Sequence, residues 1–138
     1  LNRFNPPVTR DIPAEASVKR ALKKACYDCH SCETKWQGIA YIAPFSWLAS
    51  RTVNAGRNTI NFSAWNQRSG EKYLEGRGKL SVFFSQRSNH YPHYYLLNPA
   101  AKLSAAESDT VSAWLGRFEK EQQARIKNSE YSRQDKTL

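Results

Sequence analysis

The chain has no methionine, which removes the thioether sulfur from the side chains that could ligate a metal. It has only three cysteines, one thiolate short of the four that hold an iron–sulfur cubane. Long hydrophobic runs are missing too, and no stretch approaches the roughly 20 apolar residues of a membrane-spanning helix. Acidic residues are few: 12 against 21 lysines and arginines, a net charge of +9. That excess occurs in short groups, such as Lys19-Arg20 with Lys23-Lys24, and no zinc-finger spacing, helix-turn-helix cue or RNP-like strand accompanies it. Nucleic-acid binding is therefore not expected. Strand-like alternation is almost absent, so the fold class expected is all-α. With 138 residues, 40% of them hydrophobic, the chain suits one compact core.

What is present is concentrated in five residues, Cys26-Tyr27-Asp28-Cys29-His30. Two thiols three positions apart can reach the two vinyl groups on one edge of a porphyrin, and the following histidine can offer its imidazole to the iron. C-x-x-C-H thus reads as attachment of one covalent haem c, with Cys26 and Cys29 as thioether links and His30 as proximal ligand. Zinc held by three thiolates and an imidazole, iron–sulfur ligation and dithiol redox chemistry are the competing readings. Each fits less well: His30 lies between two cysteines, no second cysteine pair exists, and the flanks are helical where a thioredoxin-like site follows a strand. Cys32 is left over by the haem reading and is expected to be buried.

Residues 1–12, with Pro6-Pro7, read as an extended lead-in. Pro13 or Ser17 can open a first helix with Val18, Ala21, Leu22 and Ala25 on one face, which sets the cysteines at its end. Residues 31–43 read as a loop carrying Trp36, Ile39, Tyr41 and Ile42. Pro44 suits the first turn of a second helix, with Phe45, Leu48 and Ala49 as its inner face and Gly56 as its stop. Asn61 and Ser63 are candidate caps beside Phe62 and Trp65. A further helix is expected within 69–86, weakened by three glycines, and Gln86–Pro99 reads as an ordered loop interrupted by two prolines. Ser104 with Glu107 forms a capping box before Val111, Trp114, Leu115 and Phe118 at i, i+3, i+4 and i+7. The last dozen residues are polar and expected to fray. The resulting division is a lead-in over 1–12, a haem-binding domain over 13–127 and a polar tail over 128–138.

With methionine excluded, the candidates for the iron's sixth position are His90 and His93, about sixty residues beyond His30 in the proline-containing loop. His90 is the first choice and His93 the alternative. Trp36 and Tyr94 are further candidates for contact with the haem.

Beyond these single positions, the chain resembles the small haem-binding domain family of bacterial c-type cytochromes. The resemblance rests on Cys26-Tyr27-Asp28-Cys29-His30-Ser31 followed by Glu33-Thr34-Lys35-Trp36, and on Tyr41-Ile42-Ala43-Pro44 with Ser46-Trp47. It continues through Asn61-Phe62-Ser63 with Trp65, and through Tyr94 to Asn98-Pro99 with Ala101-Lys102-Leu103-Ser104. It covers roughly residues 5–118. It implies a monohaem helical domain wrapped around its cofactor, exported to the bacterial periplasm and often anchored there, so a signal or anchor upstream of Leu1 is expected. Two departures stand out. Cys32 replaces the family's usual asparagine, and Asn89-His90-Tyr91-Pro92 replaces its Met-Pro, which favours histidine as the distal ligand.

One-electron transfer is the leading functional expectation, with bis-histidine ligation giving a low or moderate potential. The basic surface suggests an acidic redox partner protein. A haem enzyme or a gas or peroxide sensor with an open distal position is the alternative, kept alive by the tyrosines at 91, 94 and 95. A non-haem metal-binding domain is a third class.

Overall fold

A computed structural model of the chain describes residues 3–66 and 92–135, with Pro92 and His93 described by backbone alone. The chain enters in extended form and forms α1 (Ala16–Ala25), the one-turn α2 (Tyr27–His30), a 3-10 turn (Gly38–Tyr41) and α3 (Phe45–Thr59). After the undescribed stretch come α4 (Pro92–Leu97), a second 3-10 turn (Pro99–Ala101) and α5 (Ala105–Asp135). No strand occurs among the described residues, and the one bridge, Arg10 to Ala64, is isolated. The all-α expectation holds for them.

Two amphipathic helices build the core. In α1, Val18, Ala21 and Leu22 are buried at i, i+3 and i+4, while Lys23 and Lys24 occupy the last turn, where cations suit the helix dipole. In α5 the capping box closes from both sides. Ser104 Oγ accepts from the Glu107 N–H at 3.1 Å and Glu107 Oε2 accepts from the Ser104 N–H at 2.8 Å. Val111, Trp114, Leu115 and Phe118 then pack with Ile12, Tyr27, Phe62 and Trp65. Two ion pairs link the helices, Lys24–Glu107 at 2.7 Å and Arg117–Glu15 at 2.6 Å.

Residues 3–12 run extended but lie against the core. The Ile12 N–H donates to Phe62 O at 3.0 Å, the Trp65 N–H to Arg10 O at 2.8 Å, and Ile12 is 1% exposed.

Three expectations change. The inner face of α3 is Ser46, Ser50, Val53 and Gly56, whereas Phe45, Trp47 and Leu48 are exposed. Close packing of Gly56 on Cys29 of α2 leaves no room for a Cβ at 56, and Gly56 lies inside α3 rather than stopping it. Residues 92–97, expected within a loop, are helical: Pro92 is the first helical residue, where its fixed φ and missing N–H cost nothing. Residues 127–135, expected to fray, continue α5, a run of helix formers without glycine or proline after Gly116. The helix expected within 69–86 and the loop from Gln86 to Tyr91 lie outside the described residues.

Candidate functional site

The cysteine–histidine motif sits where α1 ends. Cys26 departs from helical geometry at φ −123°, ψ −31°, separating α1 from α2, while its N–H still bonds to Leu22 O at 2.8 Å. The Cys26 carbonyl then accepts from the Cys29 N–H at 3.2 Å and the His30 N–H at 2.9 Å. One short turn therefore carries both thiols and the imidazole. Burial, with the neighbouring Cys29 sulfur second, pushes the Cys26 thiol up to about 12. Burial and the Asp28 carboxylate push Cys29 to about 11, against the opposing pull of Arg57. Both thiols hold their protons at neutral pH, the form that can add S–H across a vinyl group.

His30 is oriented by α3. Its Nδ1 lies 3.1 Å from Gly56 O and 3.2 Å from Ile60 O, and since carbonyls only accept, Nδ1 carries the proton and donates. In the neutral ring Nε2 is then the nitrogen with the lone pair, the tautomer a metal-ligating histidine needs. The Phe62 N–H donates to His30 O at 2.8 Å and the Phe62 ring lies 6.2 Å from the imidazole, which holds the residue from behind. Gly56 makes this approach possible, because a Cβ there would stand 2.9 Å from the Cys29 carbonyl carbon.

Asp28, inside the motif, joins three segments. Its Oδ1 accepts from the Lys35 N–H at 3.0 Å, its Oδ2 from the Tyr94 hydroxyl at 2.6 Å, and its carbonyl from Thr34 Oγ1 at 2.8 Å. Burial, then the Asp28 carboxylate, raises the Tyr94 phenol, so it stays a donor. Tyr95 is likewise raised, by burial and by the nearby Cys26 and Cys29 sulfurs.

Arg57, one residue beyond Gly56, forms a second hub. Nε donates to Ser31 O at 2.7 Å, Nη1 to Phe4 O at 2.9 Å, and Nη2 to Asn5 Oδ1 at 2.7 Å and Thr34 Oγ1 at 2.9 Å. Asn5 Oδ1 also accepts from Trp36 Nε1 at 3.2 Å. Cys32 is buried, with the Asn61 amide nitrogen 3.5 Å from its sulfur, and its N–H donates to Ser63 Oγ at 3.0 Å.

Of the residues singled out by the sequence, Cys26, Cys29 and His30 are brought together and Tyr94 reaches them through Asp28. Trp36 turns toward Asn5 in the extended segment. His90 lies outside the described residues, and of His93 only the backbone, in α4, is described. Cys32 is buried as expected, and Asn61 and Ser63 serve the turn around it instead of capping a helix. Gly56, Arg57, Asn5 and Asp28 were missed. Their partners are 23 to 66 positions away except where Asp28 meets its own loop. The only local signal was a glycine in a helical run, which reads equally as a stop.

Two protonated thiols and an imidazole whose Nδ1 is tied to backbone carbonyls form a donor set that fits a covalently attached haem. Among the described residues no group of three or more His, Cys, Asp or Glu side chains is arranged to hold a metal ion, and no helix is long and apolar enough to cross a membrane. A family model described as "Haem-binding domain" matches residues 2–117. No curated protein and no solved structure matches the chain.

Proposed function

The chain belongs to the haem-binding domain family, and we propose that it is a monohaem c-type cytochrome that passes single electrons. When bound, the haem supplies an iron that cycles between ferric and ferrous states. The protein's part is to hold it: Cys26 and Cys29 as thioether links, His30 as proximal ligand through Nε2, and His90 as distal ligand, with His93 the alternative. Trp36 and Tyr94 shape the surround, the first through Asn5 and the second through Asp28. The observation that carries the reading is the bond from His30 Nδ1 to Gly56 O and Ile60 O beside two thiols of the same turn. Thioether formation needs haem and reduced cysteines together, which supports a location in the bacterial periplasm. The net charge of +9 supports an acidic redox partner there.

The test is spectroscopic. Protein matured in a periplasm competent for haem attachment is expected to contain one haem that survives denaturation, and a low-spin bis-imidazole ferric spectrum in electron-paramagnetic and near-infrared dichroism measurements. His90→Ala is expected to convert it to a high-spin or new low-spin form while His93→Ala leaves it unchanged. The reverse pattern assigns His93. A high-spin wild type that binds carbon monoxide rapidly sinks electron transfer in favour of an enzyme or sensor, and absence of covalent haem sinks the cytochrome itself.

A further inference from the structure

We propose that Arg57 sets the reduction potential of the site, as a fixed positive charge on the side that carries His30. This deepens the haem reading above and rests on it. Gly56 and Arg57 are consecutive on α3: the first accepts from the His30 imidazole, and the second donates to Ser31 O, the carbonyl of the residue after His30. The guanidinium thus stands against the same turn that presents the ligand. Its four acceptors are two carbonyls, an amide oxygen and a hydroxyl, all neutral. Among the described residues no carboxylate pairs with it, so none of them cancels its charge. It is half-buried, where solvent screens less than at the surface. An arginine also stays charged at every pH at which the protein is folded.

The consequence follows from charge. Reduction adds one electron from an external one-electron donor, converts ferric to ferrous iron, and makes or breaks no bond. The site becomes less positive by one unit, and a fixed cation nearby favours that state. Arg57 is not a ligand, and it acts by its field and by the position its four bonds impose. Its second task is mechanical: it ties residues 4 and 5 and the loop at Thr34 to α3. The two tasks are separable, because lysine keeps the charge while losing the planar fork of donors.

Equilibrium redox titration of the haem-loaded protein separates them, with visible and electron-paramagnetic spectra confirming unchanged ligation in each variant. Arg57→Gln is expected to lower the ferrous-to-ferric ratio at a fixed electrode potential by a factor on the order of five, the effect of one partly screened charge. Arg57→Lys is expected to keep the wild-type potential although its unfolding midpoint falls. Asn5→Asp retains Arg57 and sets a carboxylate against it at an exposed position, so it weakens the field even where Arg57→Gln fails to mature. It too is expected to lower the ratio. Unchanged potentials in Asn5→Asp and Arg57→Gln overturn the proposal, as does an Arg57→Lys potential that falls as far as that of Arg57→Gln. Wild-type protein without covalent haem is a different result, which takes down the cytochrome reading itself.

Discussion

Gly56 and Cys29 meet backbone to backbone, and that contact fixes how α3 presents its carbonyls to His30. A methyl group at 56 would overlap the Cys29 carbonyl. Two effects oppose each other in Gly56→Ala. Alanine gains about 1 kcal/mol of helix propensity, while forcing apart two close-packed backbones costs about 2–3 kcal/mol, the upper part of the overpacking range. Backbone atoms cannot rotate away as a flexible side chain would, so the clash wins. Gly56→Ala is expected to lose about 1–2 kcal/mol in denaturant unfolding and to lower the yield of covalently loaded protein. A variant as stable as wild type would show that α2 and α3 are not in contact.

The Tyr94–Asp28 bond joins α4 to the motif across 66 positions of sequence. A hydrogen bond to a carboxylate is worth about 1.5–3 kcal/mol, reduced here because both groups are only half-buried. Tyr94→Phe is expected to cost about 1–2 kcal/mol and to open residues 92–97 to hydrogen exchange ahead of α1 and α5. Combined with Asp28→Asn, the two losses are expected to be less than additive, the signature of a direct contact. Strict additivity in that double-mutant cycle would remove the latch.

Features decided by neighbours within a turn were legible in the sequence. The capping box at Ser104 and Glu107, the buried face of α1 and the cysteine–histidine turn each depend on residues no more than four apart, and each stands as read. The inner face of α3 was not legible, because hydrophobicity pointed to Phe45 and Leu48 while the buried positions are Ser46, Ser50, Val53 and Gly56, and the closeness of Cys29 that forbids a side chain at 56 arises between residues far apart in sequence. The partners of Arg57 were hidden for the same reason: Phe4, Asn5 and Ser31 are brought to it by the fold, not by spacing. Pro92 was read as a breaker because proline ends a helix as readily as it begins one.

The buried Cys32 thiol stands next to the motif but has its own environment, formed by Asn61 and Ser63. It is expected to contribute packing and no attachment. Cys32→Ala should keep one covalent haem per chain with an unchanged haemochrome spectrum, at a cost of about 1 kcal/mol in stability. Loss of haem from this variant alone would give the third cysteine a role in attachment.

In haem-free protein the raised thiols predict slow alkylation. A thiol at about 11 holds roughly a hundredfold less thiolate at pH 8 than one at its ordinary 9.0, and the thiolate is the nucleophile. In a Cys32→Ala background, Cys29 is expected to react with iodoacetamide roughly a hundredfold more slowly than an unfolded control at pH 8, with the gap closing as pH rises toward 11. Cys26, held to about 12, should lag behind it. Equal rates in folded and unfolded protein would mean that the thiols are solvated.

Acid sensitivity is expected at the other end of α1. Burial works to raise the Asp11 carboxyl, but the Lys19 ammonium at 2.8 Å, the Tyr27 hydroxyl at 2.8 Å and the Ile12 N–H at 3.0 Å together outweigh it and bring it below its ordinary 3.8. A carboxylate whose folded value is depressed contributes stability that is fully present above the unfolded value and is lost as pH falls through the folded one. Asp11→Asn should therefore be less stable than wild type at pH 7, and the difference should shrink only below about pH 4 as wild-type Asp11 takes up its proton. Unfolding free energies measured from pH 7 to pH 2 check this. A difference that stays constant over that range would mean the charge of Asp11 contributes nothing, leaving its role to hydrogen-bond geometry that asparagine fails to copy.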